Sequence, residues 1–158
     1  MLVWRKAFES SNKQLDDDHR ALFRLFNQLE NMGGLKRQGD LGELNAKIGT
    51  LLDYVLEHCA REERTMREVG YPEAEGHIAN HEFMRAYFIE VLRPLTAGEI
   101  LIPTFIRLIR GQLIHHFMDY DYLFTKWIRV QSGGQMPPRP LVEKRILPDR
   151  RQTQLQLH

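Results

Sequence analysis

Apolar residues recur three and four positions apart through most of the chain, in four blocks separated by glycine or proline. That period belongs to amphipathic helices. The first block runs from about Asn12 to Met32, sets Leu15, His19, Leu22, Phe23, Phe26 and Leu29 on one face, and stops at Gly33-Gly34. The second runs from about Asp40 to Val69 with Leu44, Ile48, Leu51, Leu52, Val55, Glu62 and Met66 inward, and stops at Gly70-Tyr71-Pro72. The third spans about Pro72 to Leu95, with its end expected at Pro94, because the residue before a proline is driven from helical geometry. The fourth starts near Gly98 and reaches about Val130, with Pro103 in its first turn or two, where a missing amide proton does least harm. Short connections between long helices favour antiparallel neighbours, so the pattern predicts an all-α, up-down-up-down four-helix bundle over residues 1–130.

Residues 131–158 read differently. Four of the seven prolines (Pro137, Pro138, Pro140 and Pro148) fall there, with five basic residues against two acidic ones. This is expected to be a tail outside the bundle, in which the short apolar stretch Leu141 to Leu147 could dock on a protein partner.

Composition narrows the function classes. The 158 residues are 42% hydrophobic and 27% charged with a formal net charge of +1, a balance that offers no strong field for nucleic acid or an anionic membrane. Neither partner is expected. A single cysteine, Cys59, excludes an intrachain disulfide and suits a reducing compartment, so the expected location is the cytoplasm. No signal peptide or membrane span is expected, since no apolar run approaches the ~20 residues a span needs.

The histidines change the picture. His58 and Glu62 are four apart in the second helix, and His77 and His81 are four apart in the third, so each pair projects from one helix face. His19 and His116 lie on the apolar stripes of the first and fourth helices, where an unsatisfied polar group is costly. At ~1.5 Å rise per residue, His19 lies roughly 10 Å from the start of its helix and the His77/His81 pair roughly 10 Å from the start of the third. The His58/Glu62 pair lies roughly 13 Å before the end of the second helix, and His116 with Asp121 roughly 17 Å before the end of the fourth. Antiparallel packing brings these positions to one layer. Five imidazoles and two carboxylates exceed what one zinc ion takes, and suit two iron ions bridged by the carboxylates. Some choices stay open on spacing alone: His115 competes with His116, and Asp119 is better placed than Asp121 on an ideal helix, where a five-residue step turns about 140°. For Glu62 against Glu63, the four-residue step from His58 selects Glu62.

The stretches LDDDHRALFRLFNQL, YVLEHCAREERTM, GYPEAEGHIANHEFM and LIHHFMDYD resemble the hemerythrin family, from Trp4 to about Trp127. The family pattern is one His on the first helix, His-x-x-x-Glu on the second, His-x-x-x-His on the third and His-x-x-x-x-Asp on the fourth. That last step selects His116 and Asp121. The resemblance implies a diiron centre in which His77, His81 and His116 hold one non-haem iron, His19 and His58 the other, and Glu62 and Asp121 bridge both with an oxo or hydroxo group. It implies reversible binding of dioxygen, for storage, delivery or sensing, in a pocket lined by Leu113, Phe117 and Cys59. The family commonly has Phe at position 59 and Trp at position 112; Cys59 and Gln112 make the lining smaller and more polar, which favours water entry and autoxidation. The alternative is a diiron enzyme acting on peroxide or nitric oxide, although no dedicated acid or base stands out beyond the ligands. A metal-free helical interaction module ranks third.

Overall fold

The computed structural model describes residues 1–32 and 40–135. The expectations for the tail from residue 136 onward, including the Leu141 to Leu147 stretch, and the stop at Gly33-Gly34 lie outside these residues. After a single 3-10 turn at Lys6–Phe8 come α1 (Lys13–Asn31), α2 (Asp40–Val69), α3 (Ala74–Thr96), α4 (Ile102–His116), a π-helical turn (Phe117–Asp121) and α5 (Tyr122–Gln131). The last three form one continuous rod. Helix α1 packs on α2, α2 on α3, α3 on α4 and α4 back on α1, which closes an antiparallel four-helix bundle. No helix among the described residues is long and apolar enough to cross a membrane.

Local chemistry sets the ends. Asn12 caps α1, its Oδ1 accepting from the backbone N–H of Gln14 at 3.0 Å and of Leu15 at 3.2 Å. Helix α2 stops where Gly70 adopts φ +68° and the Tyr71 N–H turns back to the Met66 carbonyl at 2.9 Å.

Two boundaries differ from expectation. Pro94 lies inside α3, which continues to Thr96. Near a helix end a proline forfeits a single backbone bond, and the Pro94 carbonyl accepts from Glu99 N–H at 2.8 Å, so the turn is closed from the other side. The fourth rod begins at Ile102 and not near Gly98, because Gly98, at φ +74°, belongs to the turn that ends α3. Pro103 stands in the first turn of α4 as expected.

Packing divides the bundle along its axis. Towards the ends formed by the α1 C-terminus and the α4 N-terminus, Phe26, Leu29, Ile48, Leu51, Met84, Phe105 and Ile109 build the larger apolar cluster. Each such fully buried side chain contributes roughly 1.5–3 kcal/mol. At the opposite end Leu15, Met66, Phe124 and Ile128 form a smaller one. The histidine layer lies between them. A third cluster joins Phe8, and Trp4 beside it, to Phe117, Ile114 and Phe23, so the N-terminal segment covers the flank of the α1–α4 groove.

Candidate metal centre

Each rod contributes to one buried layer. Helix α1 supplies His19, α2 supplies His58 and Glu62, α3 supplies His77 and His81, α4 supplies His116, and the π turn supplies Asp121. All seven residues are buried, with none above 3% exposure. The π turn answers the five-residue step. The Tyr122 N–H bonds to the carbonyl of Phe117, five residues back, and this wider turn swings Asp121 round to the face that carries His116. Its Oδ1 then lies 2.7 Å from His116 Nε2.

The ligand atoms fall into two groups, each within 4.8 Å of one another: Glu62, His77, His81, His116 and Asp121 in one, and His19, His58, Glu62 and Asp121 in the other. Both carboxylates are shared. Asp121 divides its oxygens, with Oδ1 at 3.1 Å from His77 Nε2 and Oδ2 at 3.2 Å from His19 Nε2 and 4.0 Å from His58 Nε2. Glu62 Oε2 stands 3.6 Å from His58 Nε2 and 3.4 Å from the Nε2 atoms of both His77 and His81. The rivals lie elsewhere. His115 pairs with Asp119 at 2.7 Å on the outer side of the rod, and Glu63 points its Oε1 at His81 Nδ1, 3.0 Å away, behind the layer.

Behind the ligands stand groups that spacing alone did not single out. His116 Nδ1 lies 2.7 Å from Asn80 Oδ1, which makes Nδ1 the protonated nitrogen and turns the Nε2 lone pair inward. Glu63 is held in turn by Arg85 Nη2 at 2.6 Å. Asp18 sits 3.7 Å from His58 Nδ1 and accepts from Arg61 Nε at 2.8 Å and from the Tyr54 hydroxyl at 3.1 Å. Tyr120 stacks on His116, and Trp4 stacks on His19. The adjacency of Asp18 to His19 and of Glu63 to Glu62 was visible in the sequence; their partners depend on the meeting of helices.

Electrostatics match this arrangement. Burial lowers His58 and His116 to about 4 and also lowers His81, so these rings are neutral lone-pair donors at neutral pH. Burial, reinforced by the charge of Asp121, raises Glu62 to about 8. Burial also works against ionised Asp121, but the charge His116 carries once the pH is low enough to protonate it, and hydrogen bonds from the surrounding imidazoles, outweigh it and hold the carboxyl well below its ordinary range. For His19 burial opposes the proton, yet Asp121 beside it raises the ring above its usual value.

The residues fit a cation. Both ring nitrogens of His19 and His58, both Glu62 oxygens and His77 Nδ1 are buried without a partner in hydrogen-bonding geometry. An unsatisfied buried polar group costs ~1–3 kcal/mol, and several of these atoms converge on one layer. His81 and His116 face each other Nε2 to Nε2 at 3.1 Å, a contact that at most one proton can bridge and that a shared metal charge relieves. Imidazole and carboxylate donors without thiolate suit a borderline transition-metal ion.

Leu113 and Phe117 line a cavity that reaches His19 and His58. Cys59 does not border it. Its side chain, fully buried one helical turn beyond the cavity-lining Val55, packs into the larger apolar cluster, and burial raises its thiol far above the ordinary value.

Fold and site together define a class: an antiparallel helical bundle carrying a paired histidine–carboxylate cation site. Residues 10–128 match the family described as the hemerythrin HHE cation binding domain, and the chain belongs to that family. Among its relatives, the bacteriohemerythrin of Methylococcus capsulatus is 26% identical over 126 residues, covering 78% of this chain and 94% of the relative. The bacteriohemerythrin of Stenotrophomonas maltophilia is 25% identical over 143 residues, covering 85% and 92%. A wild-type hemerythrin crystal structure superposes with a TM-score of 0.69 at 25% identity, over 79% of this chain and 95% of the other.

Proposed function

We propose that this chain holds two non-haem iron ions and binds dioxygen reversibly, as a storage, delivery or sensing protein without chemical turnover. His77, His81 and His116 hold one ion, His19 and His58 the other, and Glu62 and Asp121 serve both. The observation that carries this reading is the sharing of two carboxylates between two separate imidazole groups. A single-ion site has no use for that division. Membership of a cation-binding family and similarity to bacteriohemerythrins support the same assignment.

When bound, a ferrous pair supplies the electrons that dioxygen capture requires, and returns to its starting state on release. The protein supplies the surroundings. His58 and His116, neutral at physiological pH, present lone pairs without first losing a proton. Asn80 and Glu63 fix the orientation of His116 and His81 from behind. Leu113, Phe117, Phe23 and Phe26 line the approach to the two-histidine half, which neither Cys59 nor Gln112 borders, and this apolar lining disfavours irreversible oxidation. Glu62, with its raised pKa, is a buried carboxyl that holds a proton until metal displaces it.

Anaerobic loading with ferrous iron followed by aeration tests the assignment. Charge-transfer absorption is expected to appear in air and to vanish on deaeration over repeated cycles. Absence of bound iron, or bands that never reverse, overturns the proposal.

A further inference from the structure

The cavity beside His19 and His58, about 270 Å³ in volume, has two kinds of wall. Helices α1 and α4 supply Leu22, Phe26 and Ile114, side chains buried in the apolar clusters of the bundle. The outer wall is the N-terminal segment, through Leu2, Val3, Arg5 and Phe8. With that wall in place His19 and His58, at the inner end, are each only 1% exposed. A water-sized molecule scarcely touches these rings, so contact requires part of a wall to give way.

The walls differ in what displaces them. Moving α1 or α4 breaks a run of helical backbone bonds and exposes core side chains, whereas residues 1–7 include no buried residue and share only the single turn Lys6–Phe8. One end of the segment is firmly held. Glu9 accepts from Arg20 Nη2 on its carboxylate at 3.0 Å and from Arg129 Nη1 on its carbonyl at 3.3 Å, and Ser10 gives both its N–H and its hydroxyl to Asp16, each at 2.8 Å. Phe8, buried against Phe117, stays with that end. At the other end Asn27 grips the backbone of Leu2, its Oδ1 accepting from the N–H at 2.6 Å and its Nδ2 donating to the carbonyl at 2.8 Å. The Met1 nitrogen also meets Glu30 at 2.6 Å, but Met1 is 73% exposed, where an ion pair contributes little. Between the ends Trp4 rests on Phe23 and on the His19 ring through ring contacts, and its indole N–H has no acceptor.

We propose that residues 2–7 form a strap hinged at residues 8–10, that Asn27 is its latch, and that release of the strap admits small molecules to the His19 and His58 edge. Trp4 travels with the strap, so opening also uncovers a face of His19. Dioxygen as the molecule admitted rests on the function proposed above; the latch does not. Asn27 borders neither the cavity nor the ligand atoms and acts on them only through Leu2, which makes it a positioning residue.

Asn27→Ala in the full chain loses both bonds and keeps a strong helix former in α1, and Gln28→Ala makes a comparable change at the exposed position beside it. Losing two hydrogen bonds is expected to raise the open fraction roughly 5–100-fold. Opening is read by trypsin cleavage after Arg5 and Lys6, under conditions where cleavage follows the open population. Access is read in the iron-free chain, checked for the helical circular dichroism of the parent, by acylation with diethyl pyrocarbonate and assignment of each histidine by mass spectrometry. His115, on the outer side of its rod, is the internal reference. In Asn27→Ala, cleavage in the strap and acylation of His19 and His58 are expected to rise together, while His77 and His81 keep the parent rate and Gln28→Ala matches the parent throughout. In the iron-loaded chain, dioxygen association and dissociation are expected to accelerate by one common factor with Kd and absorption spectrum unchanged, as a gate requires and an altered site does not.

The proposal is overturned if strap cleavage does not respond to Asn27→Ala, or if it responds while His19 and His58 acylate at the parent rate. Equal acceleration at His77 and His81 also overturns it, because the whole bundle has then loosened. Unchanged rates in a reversibly oxygenated chain overturn the strap as the dioxygen route. If oxygenation proves irreversible, the function proposed above falls, and cleavage and acylation still decide the strap.

Discussion

The two halves of the ligand layer are supported in different ways. On the three-histidine side, His81 is backed by Glu63 at 3.0 Å and His116 by Asn80 at 2.7 Å, and Tyr120 lies flat against the His116 ring. On the other side His19 Nδ1 has no partner and His58 Nδ1 stands 3.7 Å from Asp18. What holds these two rings is packing: Phe117 meets His19 edge to face at 5.1 Å, Trp4 stacks on it, and His58 leans on His19 at 4.8 Å. The cavity opens on the packed side, where His19 and His58 both border it, whereas His116 alone does so from the braced side. A half fixed by hydrogen bonds keeps its geometry, and a half fixed by apolar contact can admit a small ligand without breaking a polar network.

The strongest test of this comparison removes what the halves have in common. Asp121→Ala takes an oxygen from each group at once. Iron content by elemental analysis is expected to fall to background, with affinity reduced by more than the ~100-fold that loss of a supporting group costs. His58→Ala touches one half and is expected to leave close to half of the parent iron content. Equal losses from the two variants contradict a shared carboxylate.

A second test compares the supports themselves. Asn80→Ala and Glu63→Gln remove the hydrogen-bonded backing of His116 and His81, and each is expected to weaken metal binding about 10–100-fold. Asp18→Asn acts across 3.7 Å, and the carboxylate is already occupied by Arg61 and Tyr54, so its effect is expected to be smaller, below about tenfold. Competitive chelator titration reads all three. If Asp18→Asn proves the most damaging, the distinction between a braced and a packed half is wrong.

How much of this was legible in the sequence follows from what each feature requires. The common layer was readable because helical rise and period are local properties: four-residue steps place His58 with Glu62 and His77 with His81 whatever the rest of the chain does. The apolar stripes of α1 and α2 were readable for the same reason, and α2 runs over the residues its pattern predicts. Asp121 was harder. An ideal helix prefers Asp119, and only a slip in backbone hydrogen bonding, which no side-chain period records, brings Asp121 inward. Pro94 misled because its cost depends on how near the helix end it lies, and that end is set by Gly98 and the Glu99 bond to the Pro94 carbonyl. The N-terminal cover escaped notice because Trp4 and Phe8 are too few to show a period, and their packing on Phe117 is long-range. Cys59, which the resemblance implies at the oxygen pocket, packs in the larger apolar cluster among Val55, Phe26 and Met84, residues that themselves border the cavity.

The smallest effect concerns protons, and it sharpens the comparison without disabling either half. Metal ligands must be deprotonated, so uptake by the metal-free protein releases whatever protons they hold. His58 and His116, one in each half, are lowered to about 4 and hold none at pH 7. Glu62, common to both, is raised to about 8 and is mostly protonated at pH 7, while His19, raised by Asp121, adds a contribution on the packed side. Proton release on ferrous loading, obtained from calorimetry in buffers of different ionisation enthalpy, is therefore expected at pH 7. It should decline as the pH passes about 8, because Glu62 is then already ionised before metal arrives. Release that grows by about two protons or more as the pH falls from 7 to 5, beyond the remainder that His19 and Glu62 can add, assigns the excess to His58 and His116 and removes the claim that burial keeps both halves supplied with neutral imidazole.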